Sequence, residues 1–434
     1  MNKTNPRIMP GFMELLPENQ ILFNDIIDTI RKTYESFGFL PLDTPVLEYS
    51  DVLLAKAGGE TEKQIYRFEK GDTDISLRFD LTVPLARFVS MHYNELVFPF
   101  KRYQIGKVYR GERPQKGRFR EFYQCDIDMI GEDLSLINDA EILTIIYTLF
   151  KKLNFGKFTI RINNRKLLNG FFKSVGIDNP SDAIRIIDKL DKIGINEVKK
   201  ELSKLSLDDN QIEKIIKFIN IKGSNEEIFS SLENLSIKDE TFTEGLNELK
   251  YVAEYLDKFN FDRDYYKIDL TIARGLDYYT GTIYETNLDE YNSIGSICSG
   301  GRYKGLTTHY IDKEFDGIGI SIGLTRLFQV LLDLKVISAK TKSLSKVVII
   351  PFSEENISYC TKIANLLRGN NIICETYFEE KSFKKKLNYA NRLEIPYAII
   401  IGSDEEENKT ATIKNMETGE QKTVDFDKIL ESLK

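Results

Sequence analysis

Residues 110–131 read RGERPQKGRFREFYQCDIDMIG. Arg110, Arg113, Arg118 and Arg120 fall within residues 110–120, with Lys116 among them, in a chain whose formal net charge is −7. The upstream run KRYQIGKVYRGE and the downstream run REFYQCDIDMIG both alternate, which makes RPQKG the basic tip of an antiparallel hairpin. The returning strand sorts its side chains by parity. Gln124, Asp126 and Asp128 point one way; Tyr123, Cys125, Ile127 and Met129 point the other. One set is core, and the other is the floor of a polar pocket. Arginine suits phosphate because its planar fork binds oxygens in pairs and keeps its charge. Arg110 sits at the strand end and Arg113 and Arg118 on the loop, an arrangement that fits a polyphosphate gripped by a hairpin. The Gln and Asp row beside it fits a second ligand with cationic or donor groups. A solvated charged loop would carry the same arginines without the ordered polar face next door.

The chain has 434 residues, which implies roughly two to four domains. Its 41% hydrophobic and 29% charged content describes an ordinary globular protein. The negative net charge gives no general attraction to nucleic acid, so such a partner must be met by local basic patches. Cys125, Cys298, Cys360 and Cys374 are far apart, with no CxxC pair, so neither zinc nor another tightly bound cofactor is expected. The start MNKTNPRIMPG lacks an apolar signal core and no long apolar run occurs. A cytoplasmic protein without a membrane span is expected. With only His92 and His309 present, chemistry built on a histidine base is not expected.

ENQILFNDIIDTIRKTYESF (18–37) has helical spacing and stops at Gly38. FLPLDTPVLE follows as an extended segment that Pro41 and Pro45 confine to an edge or interface. From Ile75 to Ile130 the pattern becomes strand-like, with ISLRFDLTVP, FKRYQIGKVYRGE and REFYQCDIDMIG alternating. Leu134–Leu153 reads as a helix with Asp139 and Glu141 on its wet side. Residues 166–260 are rich in Lys, Asn, Ile and Leu with helical periodicity and form an inserted helical module. The expected organisation is a first catalytic part over 1–165, the insertion over 166–260, a second catalytic part over 261–334, a linker at 335–346 and a small, largely parallel α/β domain over 347–434.

Further stretches carry chemistry. In LRFDLTVP, read as a strand, Arg78, Asp80 and Thr82 share one face while Leu77, Phe79 and Leu81 face the core; Asp80 and Thr82 suit an ammonium group. IARGLDYYTGTIYE sets Arg274, Asp277, Tyr278 and Tyr279 between Gly275 and Gly281, and glycine beside arginine often marks close approach to a ligand. GIGISIG is spaced GxGxxxG, unlike the dinucleotide fingerprint. It reads as a strand entering a helix at Gly323, which puts Arg326 in a first turn where backbone donors favour phosphate. FKKKLNYANRLE supplies Lys384–Lys386 and Arg392 as a candidate basic patch.

These stretches, in this order, resemble the class II aminoacyl-tRNA synthetases, and within them the histidyl-tRNA synthetases. Residues 108–131 resemble motif 2, GIGISIGLTRL motif 3 and FLPLDTPVLE motif 1, while RGLDYYTG is close to diagnostic for the histidine enzymes. The resemblance implies an α/β fold with an α+β catalytic domain: an antiparallel sheet flanked by helices, a helical insertion and a C-terminal α/β anticodon-binding domain. It implies activation of L-histidine by ATP and transfer to tRNA(His), with Mg²⁺ accompanying ATP through ligands that stay unknown, by a homodimer. By the same resemblance Arg110 and Arg274 are catalytic. Asp80, Leu81, Thr82, Gln124, Asp128, Tyr278 and Tyr279 bind histidine. Arg110, Glu112, Arg118, Phe122 and Arg326 bind ATP. The rival within the same resemblance is a non-catalytic regulatory subunit of ATP phosphoribosyltransferase. Such proteins typically lack the anticodon-like domain and parts of the RGLDYY stretch, and this chain keeps both.

Overall fold

The computed structural model describes residues 3–55, 60–113, 117–272 and 279–433. Two compact units form, one from residues 1–13 and 26–337, the other from 14–25 and 338–434.

The strands of the first unit are β1 (Leu40–Pro41), β2 (Leu47–Tyr49), β3 (Arg67–Lys70), β4 (Thr73–Leu77), β5 (Phe100–Tyr109), β6 (Glu121–Gly131), β7 (Phe158–Asn164), β8 (Tyr266–Ile268), β9 (Tyr279–Leu288), β10 (Cys298–Lys304) and β11 (Asp316–Gly323). Eight of them make one sheet in the order β1-β5-β6-β11-β10-β9-β7-β8, while β2, β4 and β3 make a smaller one. The large sheet is antiparallel from β5 across to β7, and β1 and β8 join parallel at its edges.

The central hairpin is β5 with β6, in register from Phe100↔Ile130 to Tyr109↔Glu121. Its parity follows the sequence. Cys125, Ile127 and Met129 are fully buried. Helix Pro17–Ser36 turns Ile26, Ile30 and Tyr34 inward, and the Tyr34 hydroxyl donates to the Cys125 carbonyl at 3.2 Å. Gly38, at φ +80°, ends that helix in the left-handed conformation that glycine adopts without strain.

Two expectations are corrected. The strand-like stretch is interrupted by helix Thr82–His92. LRFDLTVP leaves its strand at Leu77, and Asp80 Oδ1 then accepts the backbone N–H groups of Thr82 (3.2 Å) and Val83 (3.0 Å) at the helix start. Orphan donors capped by aspartate, with a proline tolerated in the first turn, outweigh the alternation. Arg78, Asp80 and Thr82 therefore share no strand face. Arg78 is buried, its Nε donating to Lys107 O and its Nη1 to Thr44 O. Phe79 turns toward a cavity instead of the core. Asp139, expected wet, is wholly buried in helix Ile137–Leu153, where Arg302 of β10 reaches it. A buried charge survives because it is paired. Glu141 stays near the surface and takes Lys101 at 2.9 Å.

Between Arg165 and Lys258 the chain is helical. Helices Arg165–Ser174 and Glu240–Lys258 pack with almost no gap: a Cβ on Gly170 would strike the Phe242 backbone, and one on Gly245 the Leu167 backbone. The chain departs from β7 and returns as β8, its parallel neighbour.

The second unit holds β12 (Val347–Pro351), β13 (Cys374–Thr376), β14 (Tyr397–Ile401), β15 (Thr410–Asn415) and β16 (Gln421–Asp425) in the order β13-β12-β14-β15-β16. β12 pairs parallel with β13 and β14, while β15 and β16 add antiparallel. The sheet is mixed, and the polar, exposed edge strand β16 gave no sequence signal. Val347 and Ile349 pack under helix Ile357–Gly369, and Val348 and Ile350 under helix Phe383–Arg392. Burial on both faces explains the unbroken VVII run. No helix among the described residues is long and apolar enough to cross a membrane.

Candidate active site

A cavity of about 880 Å³ opens on the polar face of the large sheet. β6 supplies Gln124, Asp126 and Asp128 as its floor. Asp80, Thr82, Arg110, Glu112, Arg118, Phe122, Tyr279 and Arg326 also line it. Residues far apart in the chain, Asp80 and Arg326 among them, thus meet in one chamber. Leu81 does not line it; its side chain is fully buried, and its carbonyl accepts from Arg102 Nη2 at 3.2 Å. Arg274 and Tyr278 lie outside the described residues.

At the basic end, Arg110 follows β5 directly. Its Nε donates to Phe79 O at 3.2 Å, and its guanidinium lies 4.4 Å from the Phe79 ring and 5.0 Å from the Phe122 ring. Cation–π packing on two rings helps to aim the charge. Glu112 is the loop's own counter-ion, taking Arg118 Nη1 at 3.1 Å, while Arg120 Nε donates to Glu112 O. Arg326 stands in the first turn of helix Leu324–Asp333, as the motif predicted, and donates from Nη2 to Ile294 O. Gly117 at the hairpin tip comes within side-chain distance of Arg326, so the loop and the helix start face each other.

At the acidic end, Asp128 Oδ1 accepts from the Tyr303 hydroxyl at 2.7 Å and its Oδ2 faces Arg102 Nη2 at 2.6 Å. Gln124 Nε2 donates to Ser321 Oγ at 2.6 Å. Burial raises the carboxyls of Asp80 and Asp128 despite Arg102 nearby. For Asp126 burial is again the first cause, Arg102 opposes it, and Asp128 and Asp80 add to it, so the group is pushed up to about 7. Sequence reading passed over Arg102, Tyr303, Ser321 and Gly319. The alternating glycines of GIGISIG were the available signal. A Cβ on Gly319 would collide with Asp128, one on Gly317 with the Tyr303 ring, and one on Gly300 with the β11 backbone. Those glycines are there for close packing beside the pocket, and no phosphate loop is involved.

The raised carboxyl has a stability consequence. The folded protein holds the Asp126 proton up to about pH 7, whereas an unfolded aspartate loses it near pH 4. Stability linked to this group is therefore complete below about pH 4 and is lost as pH rises through about 7. In the absence of ligands, the melting temperature of Asp126→Asn minus that of the unaltered protein should grow from pH 5 to about pH 7 and level off by pH 8. A difference that stays flat over that range would show that Asp126 is ionised throughout.

An antiparallel sheet carrying a basic hairpin, with an arginine in the helix turn after its last strand, is the frame of a class II aminoacyl-tRNA synthetase. The family model for histidyl-tRNA synthetase matches residues 11–327, and that for an anticodon binding domain matches 346–434. A histidine–tRNA ligase from Clostridium tetani is 57% identical over 99% of this chain and 98% of its own length. The crystal structure of histidyl-tRNA synthetase from Nostoc sp. PCC 7120 superposes with a TM-score of 0.90 at 40% identity, covering 99% of both chains. An ATP phosphoribosyltransferase regulatory subunit/histidyl-tRNA synthetase from Bacillus halodurans shares the fold, with a TM-score of 0.74 at 21% identity over 89% of this chain and 97% of that one. This chain belongs to the histidyl-tRNA synthetase family.

Proposed function

We propose that the chain is a histidine–tRNA ligase. L-histidine and ATP react at the cavity: a carboxylate oxygen attacks the α-phosphorus in line, the bond to the bridging oxygen breaks, and pyrophosphate leaves. A hydroxyl at the 3′ end of tRNA(His) then takes the histidyl group and releases AMP. The observation that carries the reading is one cavity with Arg110, Arg118 and Arg326 at one end and Asp80, Gln124 and Asp128 at the other. Both reactants of the first step are anionic, so catalysis is mainly positioning and charge neutralisation. Arg110 holds the α-phosphate, and Arg274 neutralises it from the opposite side. Arg118 and Arg326 hold the outer phosphates; Glu112 and Phe122 meet the adenine. Asp80, Thr82, Gln124, Asp128, Tyr278 and Tyr279 surround histidine. Magnesium enters with ATP as part of that substrate.

In the second unit, Phe352 and Phe378 are exposed just beyond β12 and β13. Phe352 stacks on Phe383 at 4.9 Å, with Lys384 and Lys385 exposed on the following turn. Aromatic platforms beside lysines suit unpaired tRNA bases. Lys386 does not belong to that patch: it is buried, and its Nζ donates to Pro351 O at 2.6 Å. Leu47, Tyr49 and Phe68 are exposed on β2 and β3, which supports a second copy of the chain as partner. We place the homodimer in the cytoplasm, and take residues 166–260 as a module of its own beside the two catalytic parts.

The test is histidine-dependent exchange between ATP and pyrophosphate by the full chain with Mg²⁺. Exchange with histidine and not with other amino acids is expected. A well-folded sample without exchange would instead favour the regulatory-subunit reading.

A further inference from the structure

The neck of the arginine hairpin is held by chain from outside it. Residues 9–12 read MPGF; the Phe12 N–H donates to Met9 O at 3.1 Å, and Gly11 sits at φ +87°. Proline at the second position and a left-handed glycine at the third make a type II turn. Gly11 O then accepts the Arg120 backbone N–H at 2.7 Å. Space as well as conformation calls for glycine here: a Cβ on Gly11 would stand 2.9 Å from Arg120 Cγ and 3.1 Å from its Cδ. Arg120 in turn reaches the other limb of the hairpin. Its carbonyl accepts the Arg110 N–H at 2.9 Å, and its Nε donates to Glu112 O at 3.1 Å. Glu112 Oε2 takes Arg118 Nη1. On that limb the Gly111 N–H also donates to Gln64 O at 2.7 Å.

Each limb is thus tied to a segment distant in sequence. The neck is already closed by its own bond between Arg110 and Arg120, so these ties add orientation and not closure. Resting on the histidine–ATP reading above, we infer that the Met9–Phe12 turn and Arg120 are positioning elements for the nucleotide: they set the angle at which the hairpin presents Glu112 and Arg118. Neither Gly11 nor Arg120 is among the described residues that line the cavity, so both act through the hairpin. Misplacing a binding group by about 1 Å can cost on the order of a hundredfold. The link is therefore read in the affinity for ATP and not in that for histidine.

The test is pyrophosphate exchange by the full chain with Mg²⁺, with KM for ATP and KM for histidine measured separately. Gly11→Ala should raise KM for ATP about tenfold and leave KM for histidine within about twofold. Arg120→Met keeps the stem, removes the donor to Glu112 O, and should give the same split. Because both changes break one link, the double variant should stay within about threefold of the worse single one. A double variant showing the product of the two single effects would mean that Arg120 meets ATP on its own, and the proposal falls. It falls equally if both KM values rise together, or if KM for ATP is unchanged in a folded variant. If Gly11→Ala does not fold, Arg120→Met decides by the same split. If the unaltered protein shows no exchange, the ligase reading is lost as a separate matter, and the Kd for ATP by calorimetry carries the same comparison.

Discussion

Replacing Arg110 by alanine is expected to lower kcat/KM for histidine-dependent pyrophosphate exchange by about a thousandfold, or ~4 kcal/mol of transition-state stabilisation. The size follows from how the side chain is held. Its Nε is tied to Phe79 O, and its guanidinium lies against the Phe79 and Phe122 rings. The guanidinium is therefore aimed before the nucleotide arrives, and no ordering cost falls on the reaction step. Arg110→Lys is expected to recover little, because an ammonium group offers no flat face to two rings and no paired donors for a phosphate. The fall should appear in kcat more than in KM for ATP, since charge on the α-phosphate oxygens grows as the pyrophosphate bond breaks. A lysine variant within tenfold of the unaltered enzyme would show that Arg110 acts only as a diffuse positive charge.

The second large effect concerns stability. Arg302→Met is expected to destabilise the first unit by about 3–5 kcal/mol, the usual penalty for leaving one member of a buried ion pair alone. Arg302 gives Nε and Nη2 to Asp139 Oδ2, at 3.1 and 2.6 Å, and caps the carbonyls of Leu134 and Ser135 at 2.9 Å each. The Tyr284 hydroxyl holds the other Asp139 oxygen at 3.1 Å. Methionine would leave the buried Asp139 carboxylate and the Leu134 carbonyl without their donor. Thermal melting should fall by on the order of 10 °C. Pairing it with Asp139→Leu should recover most of the loss, because two apolar groups bury more cheaply than one orphaned charge. A single variant that melts within a degree or two of the unaltered protein would show that the pair is not dry.

Much of this fold was legible because its decisive hairpin is locally unambiguous. A period of two over β5 and β6, interrupted by a loop of arginines, has no helical alternative, and the register gave both the core face and the pocket face. The strand into Arg326 was legible for the same reason. LRFDLTVP failed because six alternating residues run up to a proline that is equally at home in a helix's first turn, and only the cap contributed by Asp80 decides between them. Asp139 failed because its partner lies 163 residues away, and no local pattern distinguishes a paired buried acid from a wet one. Lys386 failed likewise: one face of a lysine-rich helix turns a stem inward to a carbonyl on β12. At the site, side chains that hold charge were found by type. Those that hold other side chains, Arg102 and Tyr303 above all, were found only from their contacts.

Gly300, Gly317 and Gly319 have a bearing on how this enzyme can be lost or remade. The space for an amino-acid substrate exists partly by omission: at these positions a single methyl group would press on Asp128, the Tyr303 ring or a neighbouring strand. An inventory of reactive groups would record nothing there. A lineage could keep each arginine and aspartate intact and still close the chamber with one carbon atom, so the integrity of the pocket has to be judged by its blanks as well as by its letters.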